Sequence, residues 1–204
     1  MKTTILSADA PDVIQFAFEI LKQGGLVAFP TDTVYGIGAL AFDGKAVESI
    51  YTAKDRPIEK AIPILIAEIM DLNKIASDIS YITRRIASRF WPGPLTCIIP
   101  KKPTLPAAVS ANDTIGVRIP DYAVTRILLR LAGPMAVTSA NISGAQSPST
   151  AEEVYAQLKG RIPLIIDGGK TPGGVPSTVV DCSTQELKVL REGPISKHDL
   201  LACL

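Results

Sequence analysis

The sequence predicts an α/β fold: an open, twisted sheet of mixed parallel and antiparallel strands, flanked by helices and carrying a concave basic cleft. Three observations lead there. Apolar runs of strand length alternate with helical stripes along the 204 residues. Some links between strands hold a crossover helix and others are too short for one, which argues against a purely parallel sheet. Three polar segments punctuate the pattern: Pro30-Thr31-Asp32-Thr33-Val34-Tyr35-Gly36, Lys54-Asp55-Arg56-Pro57 and Thr138-Ser139-Ala140-Asn141-Ile142-Ser143-Gly144. The first and third follow apolar runs that read as buried strands, and ligands in open α/β sheets collect beyond strand carboxyl ends.

From the N-terminus, Val13, Ile14, Ala17, Ile20 and Leu21 form a helical stripe over 12–23, stopped by Gly24-Gly25. Residues 26–29 read as a strand. Asp43 caps a second helix with Val47, Ile50 and Tyr51 on one face; it delivers Lys54 and Arg56 at its end, where Pro57 discourages continuation. Residues 62–66 are the next strand. A helix over 80–90 turns Ile82, Ile86 and Phe90 inward, and Trp91-Pro92-Gly93-Pro94 breaks it. Strands follow at 96–99, 114–119, 135–138, 164–166, 177–181 and 187–190, with helices at 123–131 and 152–158. Thr150 and Glu153 make a capping box for the last of these. Residues 168–176 form a Gly/Pro loop long enough to act as a flap.

The bulk numbers bound the function. A 47% hydrophobic and 20% charged chain supports a real core in one domain, spanning 1–204. The longest apolar run, Ile62 to Ala67, is stopped by Glu68, and no run reaches membrane-spanning length. Lys2 is not followed by the apolar core of a signal peptide, so a cytoplasmic location without membrane contact is expected. Cys97, Cys182 and Cys203 are too widely spaced for a chelating pair and read as reduced, mostly buried thiols. The net charge of +1 argues against a dedicated nucleic-acid coat but permits a local basic cleft.

Two phosphate motifs fail on context. Gly36-Ile37-Gly38-Ala39-Leu40-Ala41 matches a loose dinucleotide fingerprint, but it lies past the preceding strand and the next helix starts too late. Gly169-Lys170-Thr171 imitates the end of a P-loop, yet the earlier glycine would fall at Leu164 and Pro172 obstructs the helix. His198 is the single histidine. With no nucleophile elbow and no second ligand, it reads as a surface residue on a short helix capped by Ser196, and no fixed metal site is expected.

What remains is Thr, Ser, Asn, Lys and Arg chemistry. Without histidine, acid–base and covalent catalysis are poorly served. Phosphoryl and nucleotidyl transfer are well served, because positioning and electrostatic stabilisation supply most of that catalysis. Lys54 and Arg56 can converge on an anion if the chain is non-helical there. Arg118 points from a strand end in Thr114-Ile115-Gly116-Val117-Arg118-Ile119-Pro120, and Arg191 follows the last strand. Each has a plainer reading, as a helix end, turn, cap or structural ion pair. Five such sites at strand ends make the plain readings improbable together.

The segments PTDTVYGIGA, KDRP followed by IPILI, IGVRIPD, VTSANISG, and GGVPSTVVD with VLREGPI resemble, in order from Gly25 to Pro194, the YrdC/TsaC family of L-threonylcarbamoyladenylate synthases. The resemblance implies that L-threonine's amine takes up bicarbonate or carbon dioxide. The resulting carbamate attacks the α-phosphorus of ATP, and pyrophosphate leaves. The product would feed threonylcarbamoyl modification of tRNA through downstream transfer proteins, with tRNA contact possible. It further implies that Thr31 and Arg118 hold threonine, the arginine taking its carboxylate, and that Ser177 sits on the same side. Lys54 and Arg56 would be catalytic, neutralising phosphate and carbamate charge. Thr138, Ser139 and Asn141 would line the adenylate pocket near Ser147, with Thr138 also facing threonine or bicarbonate. Thr114 would lie on the nucleotide side and Arg191 would clamp the nucleotide. Mg2+ would arrive with ATP and not in a fixed protein cage.

Two departures concern histidines that many relatives carry: Ile64-Leu65-Ile66-Ala67 contains none, and Tyr122 stands where another often sits. The form expected is the short, stand-alone one. The alternative is a double-stranded RNA- or tRNA-binding paralogue without synthase activity, which a steep salt dependence would reveal.

Overall fold

The computed structural model describes residues 1–172, 175–184 and 186–203. The middle of the expected 168–176 flap, Gly173 and Gly174, lies outside them. Every helix the sequence predicts forms: α1 (Val13–Lys22), α2 (Gly44–Lys54), α4 (Tyr81–Phe90), α5 (Ala123–Ala132), α6 (Ala151–Leu158) and α7 (Lys197–Leu201). A 3-10 turn at Ile69–Asp71 leads into one further short helix, α3 (Leu72–Ile75). The caps at Asp43, Thr150 and Ser196 follow the sequence, and Ser80 adds one not singled out there. The Asp43 side chain accepts from Ala46 N, Ser80 from Thr83 N, Thr150 from Glu153 N and Ser196 from Asp199 N. The Thr150–Glu153 box closes differently: Glu153 turns its carboxylate to Ser149 N and Oγ, at 2.6 and 3.1 Å.

The strands are β1 (Thr4–Ser7), β2 (Val27–Phe29), β3 (Gly36–Leu40), β4 (Ile64–Leu65), β5 (Leu95–Pro100), β6 (Thr114–Arg118), β7 (Met135–Ser139), β8 (Leu164–Asp167), β9 (Thr178–Asp181) and β10 (Lys188–Arg191). They form one mixed sheet in the order β1-β8-β2-β3-β7-β4-β6-β5-β9-β10. Two strands, β1 and β3, are not predicted by the sequence. Glycine has low strand propensity, and β3 carries two. The reason is close packing: a Cβ at either Gly36 or Gly38 would lie 2.8 Å from a methyl of Val137 on β7. The glycines that imitate a dinucleotide fingerprint are strand residues.

The two faces of the sheet are treated differently, and that difference makes the site. One face carries the larger core, where Ile37, Ile64, Ile66, Cys97, Ile99, Val117, Ala136 and Val180 pack under α2, α3, α4 and α6. On the other face α1 and α5 supply Val13, Ala17, Leu21, Leu128 and Leu129 against Val27, Phe29, Met135, Leu164 and Ile166. These two helices cover only part of that face. Over β3, β7, β4, β6, β5 and β9 it stays open, lined by the residues that alternate with the core set. No helix of the described residues is long and apolar enough to cross a membrane.

Strand pairing brings two of the cysteines to neighbouring strands. Cys97 on β5 pairs in register with Val180, two residues before Cys182, and both thiols are buried and free, as expected. Sequence separation says nothing of this, because β5 and β9 are parallel neighbours. Among the described residues no group of three or more His, Cys, Asp or Glu could hold a metal ion.

Candidate active site

The open part of the sheet forms a cleft of about 410 Å³, the size of a small-molecule site. Its floor consists of mid-strand residues, among them Thr96, Ile98, Gly116, Val137 and Val179, and not only strand ends. Of the residues singled out in the sequence, the structure brings Thr31, Arg56, Arg118, Thr138, Ser139, Ser147, Ser177 and Arg191 to its walls.

Arg118 ends β6 and is buried. Its Nε donates to Gly93 O at 2.9 Å, Nη1 to Thr33 Oγ1 at 3.0 Å, and Nη2 to the Asp32 carboxylate. Burial, with a smaller push from the Arg191 charge, lowers its pKa, while Asp32 opposes the shift. Three of the five guanidinium protons are thus engaged and two remain. The other carboxylate oxygen of Asp32, Oδ2, is buried without a partner.

The 30–35 loop is closed by its own hydroxyls. Thr31 Oγ1 donates to Val34 O at 2.6 Å and accepts from Thr33 N and Val34 N. With its proton committed, its two lone pairs are shared among these amides and the Thr33 hydroxyl, 3.0 Å away. Thr31 therefore builds the loop that positions Arg118, and its hydroxyl is not free for threonine. Behind the loop, the buried Tyr35 hydroxyl donates to Gly169 O at 2.7 Å and accepts from Gly168 N at 3.2 Å. Burial, reinforced by the Asp167 carboxylate, holds this phenol far above its ordinary range. Tyr122 does not line the cleft and donates to Gly168 O at 2.7 Å. The two tyrosines pin the start of the 168–176 loop.

Three residues expected at the site do not line the cleft. Lys54, the last residue of α2, is 1% exposed, and its ammonium donates to the carbonyls of Ser139 and Asn141. It fixes the turn after β7 from behind. Burial, and secondarily the Arg56 charge, push its pKa down to about 7. Asn141 closes the same turn, its Nδ2 donating to Ile142 O at 2.8 Å and Ala145 O at 2.9 Å. Thr114 opens β6 opposite Pro100; it shares the face of Arg118 but stands about 13 Å away along the strand. Lys54 and Arg56 part because Asp55 adopts a left-handed conformation, φ 51°, which ends the helix and sends Arg56 outward. Arg56 lines the cleft with Nε on Lys60 O at 3.2 Å and Nη2 on Ala61 O at 2.9 Å.

At the opposite wall, Arg191 does not stand free. Its Nε and Nη2 both donate to Ser177 O, at 3.0 and 2.8 Å, and Nη2 reaches Ser177 Oγ at 3.3 Å. Gly193 lies flush against the same segment: a Cβ there would come 2.5 Å from Pro176 O and from Thr178 N. Gly193→Ala should therefore displace Ser177. A loss of about 1–3 kcal/mol in chemical denaturation is expected, with a raised threonine requirement in the assay below; unaltered values of both would contradict this packing.

Asp32, Thr33 and Thr96 are the site residues that sequence reasoning missed as such. The spacing of Asp32 to Arg118 carries no signal, and a threonine inside the apolar strand Leu95–Ile99 reads as a β-former. The alternation Thr96, Ile98 against Cys97, Ile99 was the only available hint.

The Sua5/YciO/YrdC family model, described as "Telomere recombination", matches residues 19–193. A threonylcarbamoyl-AMP synthase of Pyrococcus abyssi is 41% identical over 189 residues, 92% of this chain and 56% of that protein. One of Bacillus subtilis is 40% identical over 205 residues, 99% of this chain and 59% of its own length. Among solved structures, Sua5 of P. abyssi complexed with L-threonine is similar with a TM-score of 0.91 and 40% identity, over 94% of this chain and 57% of that one. The chain spans a little over half the length of these relatives. The matched segment contains every residue that lines the cleft, from Thr31 to Arg191, and the chain belongs to the Sua5/YciO/YrdC family.

Proposed function

We propose that the cleft makes threonylcarbamoyl-AMP and pyrophosphate from L-threonine, bicarbonate or carbon dioxide, and ATP. The observation that carries this reading is Arg118: a guanidinium locked in one plane by three partners, with two protons left, suits a carboxylate. The activity for which the relatives are named and the threonine complex of the P. abyssi protein support the same reaction.

The chemistry requires threonine nitrogen to bond to the carbon of carbon dioxide with loss of a proton. A carbamate oxygen then attacks the α-phosphorus, and the bond to pyrophosphate breaks. The cleft offers positioning for both steps. Arg118 would hold the amino-acid carboxylate. Arg56 faces the same space without a carboxylate partner among the described residues, so its charge is available to the phosphates and the carbamate. The hydroxyls of Thr138, Ser139 and Ser147 line the cleft and would take the adenylate. No carboxylate lines the cleft among the described residues, so Mg2+ would be carried on the oxygens of the triphosphate, where it would neutralise charge. The product would pass to a separate activity that transfers the threonylcarbamoyl group to tRNA.

The test is pyrophosphate release from ATP and bicarbonate with threonine, serine or no amino acid. Threonine-dependent release is expected. No release with any amino acid from the folded protein would sink the proposal. In the same assay Arg56→Ala should reduce turnover by at least about a hundredfold with unchanged thermal stability, since its guanidinium contacts only two nearby carbonyls.

A further inference from the structure

The arginines on the cleft walls rest on different kinds of support. Arg118 is held by Gly93 O, Thr33 and Asp32, and Arg191 by Ser177. Arg56 instead donates to the carbonyls of Lys60 and Ala61, and every residue from Pro57 to Ala61 is exposed. A guanidinium bonded to a surface segment is only as fixed as that segment. The segment turns back through Lys60 N to Pro57 O at 3.1 Å, and it is next tied down where Ile62 N donates to Val109 O at 2.9 Å.

One side chain reaches the segment from the core. Tyr51, on α2, is 7% exposed, and its Oη lies 2.9 Å from Ala108 O and 3.2 Å from Lys60 O. Apart from Arg56 itself, no other side chain of the described residues hydrogen-bonds to 57–61. The phenol has a single proton, which the two carbonyls share. They belong to different segments. Ala108 packs on the core next to the buried Val109, so its carbonyl is anchored, whereas Lys60 is exposed. The hydroxyl therefore ties the exposed segment to the anchored one. Lys60 O also accepts from Arg56 Nε, one lone pair serving each donor. Tyr51 holds the other end of Arg56 as well, because the main-chain N–H of Arg56 donates to Tyr51 O at 3.0 Å. Burial raises the pKa of the phenol and the Arg56 charge opposes the shift, so the hydroxyl keeps its proton at neutral pH.

We propose that Tyr51 is a positioning residue for Arg56: through the Lys60 carbonyl, its hydroxyl sets the plane in which the guanidinium faces the cleft. The part that Arg56 plays in turnover rests on the synthase reading above; the support of its guanidinium rests on the geometry alone. A charge that stabilises a reacting phosphate has to be held to within about 0.5 Å of its working position, and a flexible side chain on an untied loop is not.

Tyr51→Phe keeps the ring in the core and removes only the hydroxyl. In threonine-dependent pyrophosphate release it should lower kcat by roughly tenfold, with the threonine KM unchanged because Arg118 is untouched. In the Arg56→Ala background the same substitution should change kcat by less than about twofold, since no guanidinium is left to position. Thermal unfolding should show the same small loss for Tyr51→Phe in both backgrounds, so a merely structural effect would lower kcat by the same factor in both. Calorimetric titration of inorganic pyrophosphate into the four proteins runs the same cycle without turnover: the hydroxyl should strengthen binding only where Arg56 is present. Absence of turnover in the wild type would refute the synthase reading and leave this titration to decide. An unchanged kcat in Tyr51→Phe, an equal loss in the Arg56→Ala background, or equal pyrophosphate binding by wild type and Tyr51→Phe would overturn the proposal.

Discussion

Arg118→Met is expected to abolish threonine-dependent pyrophosphate release and to destabilise the fold in the same variant. Arg118 and Asp32 form an ion pair whose side chains are 7% and 11% exposed. Removing one member of a buried pair leaves the other charge without compensation, a loss of about 3–5 kcal/mol. Asp32 already has one oxygen buried without a partner, so it is poorly placed to survive alone. Neutralising it in the double variant Asp32→Asn/Arg118→Met should recover much of the stability. Activity should not return, because the fork that would hold the carboxylate is still missing. Urea unfolding and the pyrophosphate assay separate the two effects. Wild-type stability in Arg118→Met would mean that the pair does not hold the loop, and retained activity would mean that the carboxylate binds elsewhere.

Lys54→Met should raise the ATP KM by about tenfold or more and weaken the fold. The ammonium serves the carbonyls of Ser139 and Asn141, and buried carbonyls left without a donor are destabilising by about 1–3 kcal/mol each. The turn they belong to carries Ser139 into the cleft. The same substitution should change the pH dependence of stability. Lys54 has a pKa of about 7 in the folded protein, against about 10.4 in an unfolded chain. Between those values the unfolded state binds the extra proton, so this group makes stability rise with pH; the contribution is lost as pH falls through about 7. Urea titrations of wild type and variant across this window should differ by that slope. Parallel curves would refute the buried, shifted lysine. A collapse of turnover at unchanged ATP KM and stability would instead assign Lys54 to the reacting phosphate, the direct role that the family resemblance implies.

The fold class and nearly all the helices were legible because their signals are local. Apolar spacing at 3.6 residues, the caps at Asp43, Thr150 and Ser196, and the stops at Gly24 and Pro92 act within a turn or two. β3 was not legible. Its glycines read as a loop until Val137 is placed beside them. The cleft was legible as a set of residue types at strand ends, and eight of the eleven expected residues reach it. Of the three that do not, Lys54 and Asn141 turn onto the backbone of the turn after β7, and Thr114 shares the right face but stands at the far end of β6.

Composition and order in the chain therefore determined the mixed α/β sheet, the family and the arginine- and hydroxyl-rich character of the site. Only the tertiary structure decided which groups are free to act. It turned the Lys54 ammonium onto two carbonyls, committed the Thr31 proton to its own loop, set Asp32 on Arg118, and paired the Thr96 hydroxyl with that of Ser177. The physical reason is that a side chain's chemistry is local, whereas its hydrogen-bond partners come from strands far apart in sequence. Availability is what remains after those partners are counted.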